Sequence, residues 1–347
     1  MNIFQQALEL FQASQDFAFA TIITQDGSAP RSSGSKMIIT PDQIYFTIGG
    51  GGMEGSVIRI ARENVLMCKK PVIQFYSMKP SEAADSDFIC GGEIEVLIDY
   101  IDTSDANNKL VFEAAAQAAK DGSMAWLLTV LDSNEGAPHP RQFCLSHGKQ
   151  GIIGQFDAEH YLAPELIQSP LRTSLHGDQK DGIRYILDPV HTGGTCYIFG
   201  GGHVSYAVAN VLRTLEFHIV VIDDREKFAN PQRFPFCDTM VLPEFDHLDQ
   251  IETDQNSYLL IMTRGHMFDK KVLEWAIEQD AYYLGMIGSK SKRDIIYDKL
   301  RAQGVSQAAI DRVHSPIGLS ISAQTPEEIA ISIAGELIEE RAKKYQS

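Results

Sequence analysis

Four short segments of this chain gather residue types that bind anions or move protons. The first is Gly200-Gly-Gly-His203, which follows the apolar run Cys196–Phe199 and precedes a helical pattern reaching Leu215. A glycine turn of this kind lets backbone N–H groups meet a phosphate at a helix N-terminus. Gly200 suits the tight turn and Gly202 the close approach, with Gly201 between them, and Ser205 takes the small third position of the fingerprint. Asp223 or Asp224, about 20 residues on, stands where an acceptor for a ribose hydroxyl is expected. Two further segments, Thr263-Arg264-Gly265-His266 with Asp269, and Gly288-Ser289-Lys290-Ser-Lys292-Arg293, also follow apolar runs. His203 and His266 each come directly after a glycine, and with Asp269 they could ligate a metal, exchange protons or hydrogen-bond a polar ligand. The chain has no HxH or HxxH spacing at these positions, which disfavours a metal held by protein ligands alone. Ser289, Lys290, Lys292 and Arg293 open a helical pattern, where cations oppose the helix dipole. The placement suits a docked anion; ordinary surface lysines are the alternative.

The fourth segment lies in the N-terminal half. Residues 49–55, Gly-Gly-Gly-Gly-Met-Glu-Gly, place Gly50 and Gly51 between an apolar run and a helical pattern, with Glu54 in the first helical turn. It reads either as a flexible turn or as a second anion-binding junction, and Glu54 either answers the helix dipole or touches whatever the glycines cradle. Cys90, before two more glycines, is either a small core residue or a thiolate ligand. His314, in Arg312-Val-His-Ser-Pro-Ile-Gly318, is placed to face the same rim as the C-terminal loops.

The elements that must hold these residues follow from periodicity. Residues 3–13 have helical spacing of apolar groups, 17–24 are β-branched strand, and 35–40 and 43–48 form a hairpin about Pro41-Asp42. An Ala-rich helix covers 106–120. From Cys196 onward strands and helices alternate, the pattern of a parallel sheet covered on both faces. Thr325, Pro326 and Glu328 give the last helix a capping box. Ligands of such sheets bind beyond the carboxyl ends of the strands, so the loops at Gly200, Asp223, Thr263 and Gly288 are expected on one rim. The fold class is α/β: a mixed α/β domain over residues 1–168, a polar linker over 169–194 and a Rossmann-like doubly wound sheet over 195–347.

Composition bounds the function. The chain has 347 residues, 44% hydrophobic and 22% charged, with a formal net charge of −16. That charge disfavours nucleic acid and anionic membranes as partners. Five scattered cysteines without a CxxC pair disfavour a disulfide framework and a structural zinc. The start of the sequence has no basic region ahead of its apolar residues, and no apolar run approaches ~18 residues, so the expected location is cytoplasmic.

The segments IGGGGMEG, CGGEIEV, IFGGGHVSYAVANVL, MTRGHMFDKKVLEWA, YLGMIGSKSKR and RVHSPIGLSISAQTPEEIAISIAGEL, with GSAPRSSGSKM near the start, resemble the xanthine dehydrogenase accessory proteins of the XdhC/CoxI type. The likeness runs over nearly the whole chain. It implies a protein that binds the molybdenum cofactor (molybdopterin), shelters it during sulfuration by a cysteine desulfurase and inserts it into a molybdenum hydroxylase such as xanthine dehydrogenase. It implies a chaperone rather than an enzyme; the excess of Asp and Glu is compatible with a homodimer without demanding one. On this reading Gly200, Gly201, Gly202, Lys290, Lys292 and Arg293 hold the phosphate end, and His203, Asp223, Arg264, His266 and Ser289 line the same rim. Arg31, Gly50, Gly51, Glu54 and Cys90 meet the pterin or metal, Cys90 as the molybdenum ligand. The family's N-terminal glycine stretch usually carries a cysteine where this chain has Gly52. The alternative function is an NAD(P)-dependent oxidoreductase with His266 as proton donor.

Overall fold

A computed structural model describes residues 2–26, 33–77, 92–123, 125–131, 143–146, 151–155, 173–177, 184–190 and 193–344, which form two compact units, Met1–His191 and Thr192–Ser347. Arg31 and Cys90 lie outside the described residues.

The first unit contains two five-stranded sheets. One has the order β3-β2-β1-β5-β4, built from β1 (Phe17–Asp26), β2 (Lys36–Ile39), β3 (Ile44–Phe46), β4 (Val72–Ser77) and β5 (Glu93–Ile101). The other has the order β8-β7-β6-β10-β9, from β6 (Trp126–Leu131), β7 (Phe143–Ser146), β8 (Ile152–Gln155), β9 (Ser174–Gly177) and β10 (Arg184–Pro189). All their pairings are antiparallel. Helix α1 (Ile3–Gln12) is opened by a capping box between Asn2 and Gln5. A second helix, α2 (Gly51–Ile60), follows the glycine run. Helix α1 buries Phe4, Ala7, Leu10 and Phe11 against α3 (Ala106–Asp121), where Phe112 meets Phe4, Phe11, Phe17 and Phe19 at ring distances of 5.5–6.2 Å. Buried aromatics at such separations add to the area they remove from water, each fully buried side chain being worth about 1.5–3 kcal/mol.

The stretch read as a linker is a correction. Strands β9 and β10 lie inside residues 169–194, and β10 pairs with β6 along its full length. Among its described residues, two polar groups are satisfied internally. Asp188, on β10, accepts from the Thr173 hydroxyl at 2.6 Å and pairs with the ammonium of Lys36, on β2, at 2.9 Å. The Lys36 and Asp188 side chains are 12% and 6% exposed, so the ion pair fastens one sheet of this unit to the other. A charged residue in a sequence window says nothing about a partner so distant along the chain.

The second unit is a six-stranded parallel sheet of order β13-β12-β11-β14-β15-β16. Its strands are β11 (Thr195–Phe199), β12 (His218–Asp223), β13 (Asp238–Val241), β14 (Ser257–Ile261), β15 (Tyr283–Met286) and β16 (Val313–His314). Numbered within the unit this is 3-2-1-4-5-6, the Rossmann order, with the reversal between β11 and β14. Every residue of β14 is buried because helices cover both faces. One face packs α5 (His266–Ala276), α6 (Lys290–Ala302) and α7 (Gln307–Asp311) through Val272, Leu273, Ile296, Leu300 and Ile310. The other packs α4 (His203–Leu212) and α8 (Pro326–Lys344) through Val208, Leu212, Ile333 and Leu337. The expected capping box of α8 forms: Glu328 accepts from the Thr325 N–H at 3.1 Å, and Thr325 accepts from the Glu328 N–H at 3.2 Å. Among the described residues no helix is long and apolar enough to cross a membrane.

Candidate functional site

Parallel pairing puts the loops after the strands on one rim. Phe199 is level with Ile222 and Ile261, and Ile261 with Met286. The chain leaves β11 through Gly200, whose φ of +108° is a left-handed conformation that a side chain resists. A Cβ there would stand 2.3 Å from the Met262 carbonyl oxygen, and one on Gly201 would stand 2.2 Å from the Phe228 carbonyl oxygen. Gly202 is different: its φ is −68°, and a Cβ would meet nothing within 4 Å. Gly200 and Gly201 are therefore required by the backbones beside them, while Gly202 caps α4 and looks into open space. Ser205 is buried, as the small third position of the turn requires.

His203, His266 and Lys290 are exposed on this rim, as are Arg264 and Ser289. His203 and His266 are the first residues of α4 and α5, each just after a capping glycine, Gly202 and Gly265. Lys290 opens α6, with Ser289 as its cap accepting from the Lys292 N–H at 3.2 Å. These positions follow from the strand ends, as the sequence predicts.

Several other expected ligands are occupied by the protein itself. Asp223 is 1% exposed; Oδ1 accepts from the Arg225 N–H at 3.0 Å and Nε at 2.9 Å, and Oδ2 accepts from the Gly201 N–H at 2.7 Å and Arg225 Nη2 at 3.2 Å. Burial raises its pKa, but the Arg225 guanidinium and the Gly201 N–H outweigh it and hold the carboxyl below the usual range. Four donors fill two oxygens, which leaves no acceptor for a ribose diol. Asp224 accepts from Arg264 Nη2 at 2.6 Å, so Arg264 is anchored rather than free. Lys292 donates to Asp269, a residue with no exposed surface that also accepts from the Thr263 hydroxyl at 2.6 Å and N–H at 3.0 Å. Arg293 is held by Asp294 at 2.7 Å and by the Ser315 carbonyl at 3.2 Å. Of the basic run Lys290, Lys292 and Arg293, the structure leaves Lys290 exposed and joins the other two to carboxylates.

Glu54 shows the same economy in the first unit. Gly49, Gly50 and Gly51 all have positive φ, and the turn they form points backbone donors at the Glu54 carboxylate. Its Oε2 accepts from the Ile48 and Gly50 N–H groups, each at 3.0 Å, and from the Thr47 hydroxyl. Burial raises the pKa of Glu54, and these donors more than compensate, leaving it lowered. The anion that this glycine turn cradles is the protein's own carboxylate.

His314 lies on β16, packed against the Tyr283 ring at 4.6 Å, with Nδ1 2.9 Å from Glu336 of α8. The Tyr283 hydroxyl donates to the same carboxylate at 2.9 Å, and the Gly318 N–H also donates to it. The hydrogen bond to Glu336 raises the His314 pKa above its ordinary 6.5 despite burial. Burial pushes the Glu336 pKa up, but His314, Gly318 and Tyr283 outweigh it and leave it below 4.5. The histidine's contribution to stability is complete below 6.5 and is lost as pH rises through the raised value; the glutamate's is complete above 4.5 and is lost as pH falls through the lowered one. The pair is at full strength between about pH 4.5 and 6.5. Unfolding temperature measured from pH 4.5 upward is expected to fall as pH rises from 6.5 through the raised His314 pKa in the native chain, and His314→Gln is expected to remove that fall.

Sequence reasoning missed the basic residues nearest the glycine turn. Arg225 lies over the Phe228 ring at 3.7 Å, and Arg233 donates to the Gly201 carbonyl at 3.2 Å. The signal was present in Arg225-Glu-Lys227-Phe-Ala-Asn-Pro-Gln-Arg233, which is basic within an acidic chain, but the segment reads as a plain crossover. Among the described residues no cluster of three or more His, Cys, Asp or Glu is gathered for a metal ion.

Comparison with known proteins places two family models on the chain: the XdhC and CoxI family over residues 10–77 and the XdhC Rossmann domain over residues 196–337. An uncharacterized protein, YqeB, of Escherichia coli K12 is 26% identical over 344 residues, which is 98% of this chain and 46% of that protein. A probable xanthine dehydrogenase subunit of Bacillus subtilis strain 168 is 25% identical over 148 residues, 42% of each. The chain thus spans less than half the length of these curated relatives. A crystal structure described as a xanthine dehydrogenase from Bacillus halodurans has the same fold, with a TM-score of 0.75 at 24% identity over 99% of this chain and 96% of that one.

Proposed function

The chain belongs to the XdhC and CoxI family, and from that premise we propose that it is an accessory protein in the maturation of xanthine dehydrogenase or a related molybdenum hydroxylase. It receives the molybdenum cofactor as cargo, shelters it while a cysteine desulfurase supplies sulfur, and hands it to the client. The observation that carries the reading is the presence of both family domains, in order, on one chain.

The exposed rim of the second unit supports it. The cargo carries a phosphate and a polar pterin edge, which need cationic and N–H donors. Gly202, His203, His266 and Lys290 offer such donors at the strand ends of one rim. A dehydrogenase binding NAD(P) through the same fold is the competing reading; the carboxylate of Asp223 is occupied, while Oδ1 of the adjacent Asp224 has no hydrogen-bond partner. Cys90 and Arg31 enter the proposal through the family resemblance alone.

The chain purified from a host able to make the cofactor is expected to release pterin, measured by fluorescence after denaturation and oxidation. Lys290→Ala is expected to lower the pterin retained about tenfold, the worth of one charge-assisted contact. Absence of pterin together with tight NADH binding in a titration would overturn the proposal. Retention unchanged in both Lys290→Ala and Cys90→Ala would remove these site residues and leave the function standing.

A further inference from the structure

The segment between β12 and β13, together with Tyr206 of α4, forms a depression beside the glycine turn. Tyr206, Lys227, Asn230, Gln232 and Arg233 line a shallow, open depression of about 360 Å³. That volume falls within the range of small-ligand sites, about 300–1,000 Å³. The lining has two cations and, among these five residues, no carboxylate, although the whole chain carries a net charge of −16. Glu226 is the acid nearest in sequence, flanked by Arg225 and Lys227.

The cations differ in freedom. Arg233 is fixed: it donates to the carbonyls of Gly201 at 3.2 Å and Gly202 at 3.5 Å, and its guanidinium lies 5.4 Å from the Tyr206 ring and 5.5 Å from Phe228. Lys227 is exposed, with its ammonium 5.4 Å from Phe228. Tyr206 is 42% exposed and lines the same depression. A fixed guanidinium, an exposed ammonium and an accessible ring are the parts needed for a phosphate joined to a planar heterocycle.

The neighbouring carboxylate sharpens the ligand class. In this fold the acid at the end of the second strand accepts from a ribose diol, and a basic residue nearby takes a phosphate instead. Asp223 stands at that strand end with both oxygens filled by Arg225 and the Gly201 N–H. The surface next to it is cationic. Asp223 therefore offers a ribose diol no acceptor, although Oδ1 of the adjacent Asp224 has no hydrogen-bond partner, and a ribose phosphate in the depression meets two cations.

We propose that this depression binds the phosphorylated ribose of a nucleotide, with Lys227 and Arg233 on the phosphate and Tyr206 against the base. Two sources share this chemistry: a dinucleotide with a phosphate on its adenosine ribose, and a nucleoside monophosphate that is free or forms half of a larger cofactor. The inference rests on residues outside those assigned to the pterin cargo, and it stands or falls separately from pterin retention.

Calorimetric titration of the full chain with NADP+, NAD+, 5′-AMP, 5′-CMP, 5′-GMP, their nucleosides and inorganic phosphate tests it. At least one phosphomonoester is expected to bind tenfold or more tightly than its counterpart lacking the phosphate, NAD+ for NADP+ and the nucleoside for each monophosphate. Preference for NADP+ identifies the dinucleotide source, and preference for a monophosphate the other. Lys227→Glu, a change at an exposed residue, is expected to weaken that ligand at least fivefold, and Tyr206→Ala to weaken the monophosphate more than inorganic phosphate. No tenfold preference for any phosphomonoester, or a loss below fivefold in a folded Lys227→Glu chain, overturns the proposal.

Discussion

Gly200→Ala is expected to lower the unfolding temperature of the Rossmann unit by about 10 °C, whereas Gly202→Ala leaves it nearly unchanged. At Gly200 the new methyl meets two penalties. Its φ of +108° is strained for any L-residue, at about 1–3 kcal/mol, and the Cβ would sit 2.3 Å from the Met262 carbonyl oxygen, 2.8 Å from its carbon and 2.9 Å from the Thr263 Cα. These are backbone atoms of the loop after β14, so no rotamer change relieves the contact, and overpacking adds about 1–3 kcal/mol. The sum, about 4 kcal/mol, converts to roughly 10 °C for a unit of this size. At Gly202 the Cβ meets nothing within 4 Å and the φ of −68° is ordinary. Thermal scans of the two variants therefore separate the glycine the fold requires from the glycine that faces open space, and equal shifts would contradict that division.

Asp269→Ala is expected to destabilise the same unit by about 3 kcal/mol, with loss of order around Thr263. Asp269 has no exposed surface, and its carboxylate takes the Thr263 hydroxyl and N–H on one oxygen and the Lys292 ammonium on the other. Removing it leaves two buried donors and a partly buried cation without their acceptor. The Lys292 side chain is 26% exposed and regains some hydration, which keeps the cost at the lower end for a broken buried pair. Lys292→Met in the same background is expected to recover part of the loss, because an apolar replacement needs no partner. Denaturant titrations of both single variants and the double variant give the coupling directly, and additive losses would show that the two side chains act independently.

The pairing also explains why the basic run after β15 is a weaker anion site than its composition suggests. Lys290, Lys292 and Arg293 look equivalent as letters, yet helical geometry turns Lys292 toward Asp269 on the adjacent helix and lets Arg293 reach Asp294 and the Ser315 carbonyl. Lys290, the first residue of its helix, keeps its exposure. The same logic applies to Glu54, whose carboxylate fills the glycine turn it was expected to serve beside.

The sequence by itself determined the second unit closely. Local signals sufficed there: apolar runs of strand length, glycine at strand exits, capping residues, and an alternation with helices that favours a parallel sheet. His203, His266 and Lys290 were legible because a residue just past a strand-end glycine turn is placed by backbone geometry alone. Tertiary structure decided which charges remained available. Asp223, Glu54, Lys292 and Arg293 each found an internal partner, through hydrogen bonds that span one to 23 residues, the longer of which depend on turns and neighbouring helices. It also decided that residues 174–177 and 184–189 are sheet rather than linker, a placement fastened by the ion pair between Lys36 and Asp188. The glycines, the strands and their order obey short-range sterics and periodicity, which a sequence displays. The pairing of a charge depends on which groups the folded chain brings within about 3 Å, and that distance exists only after folding.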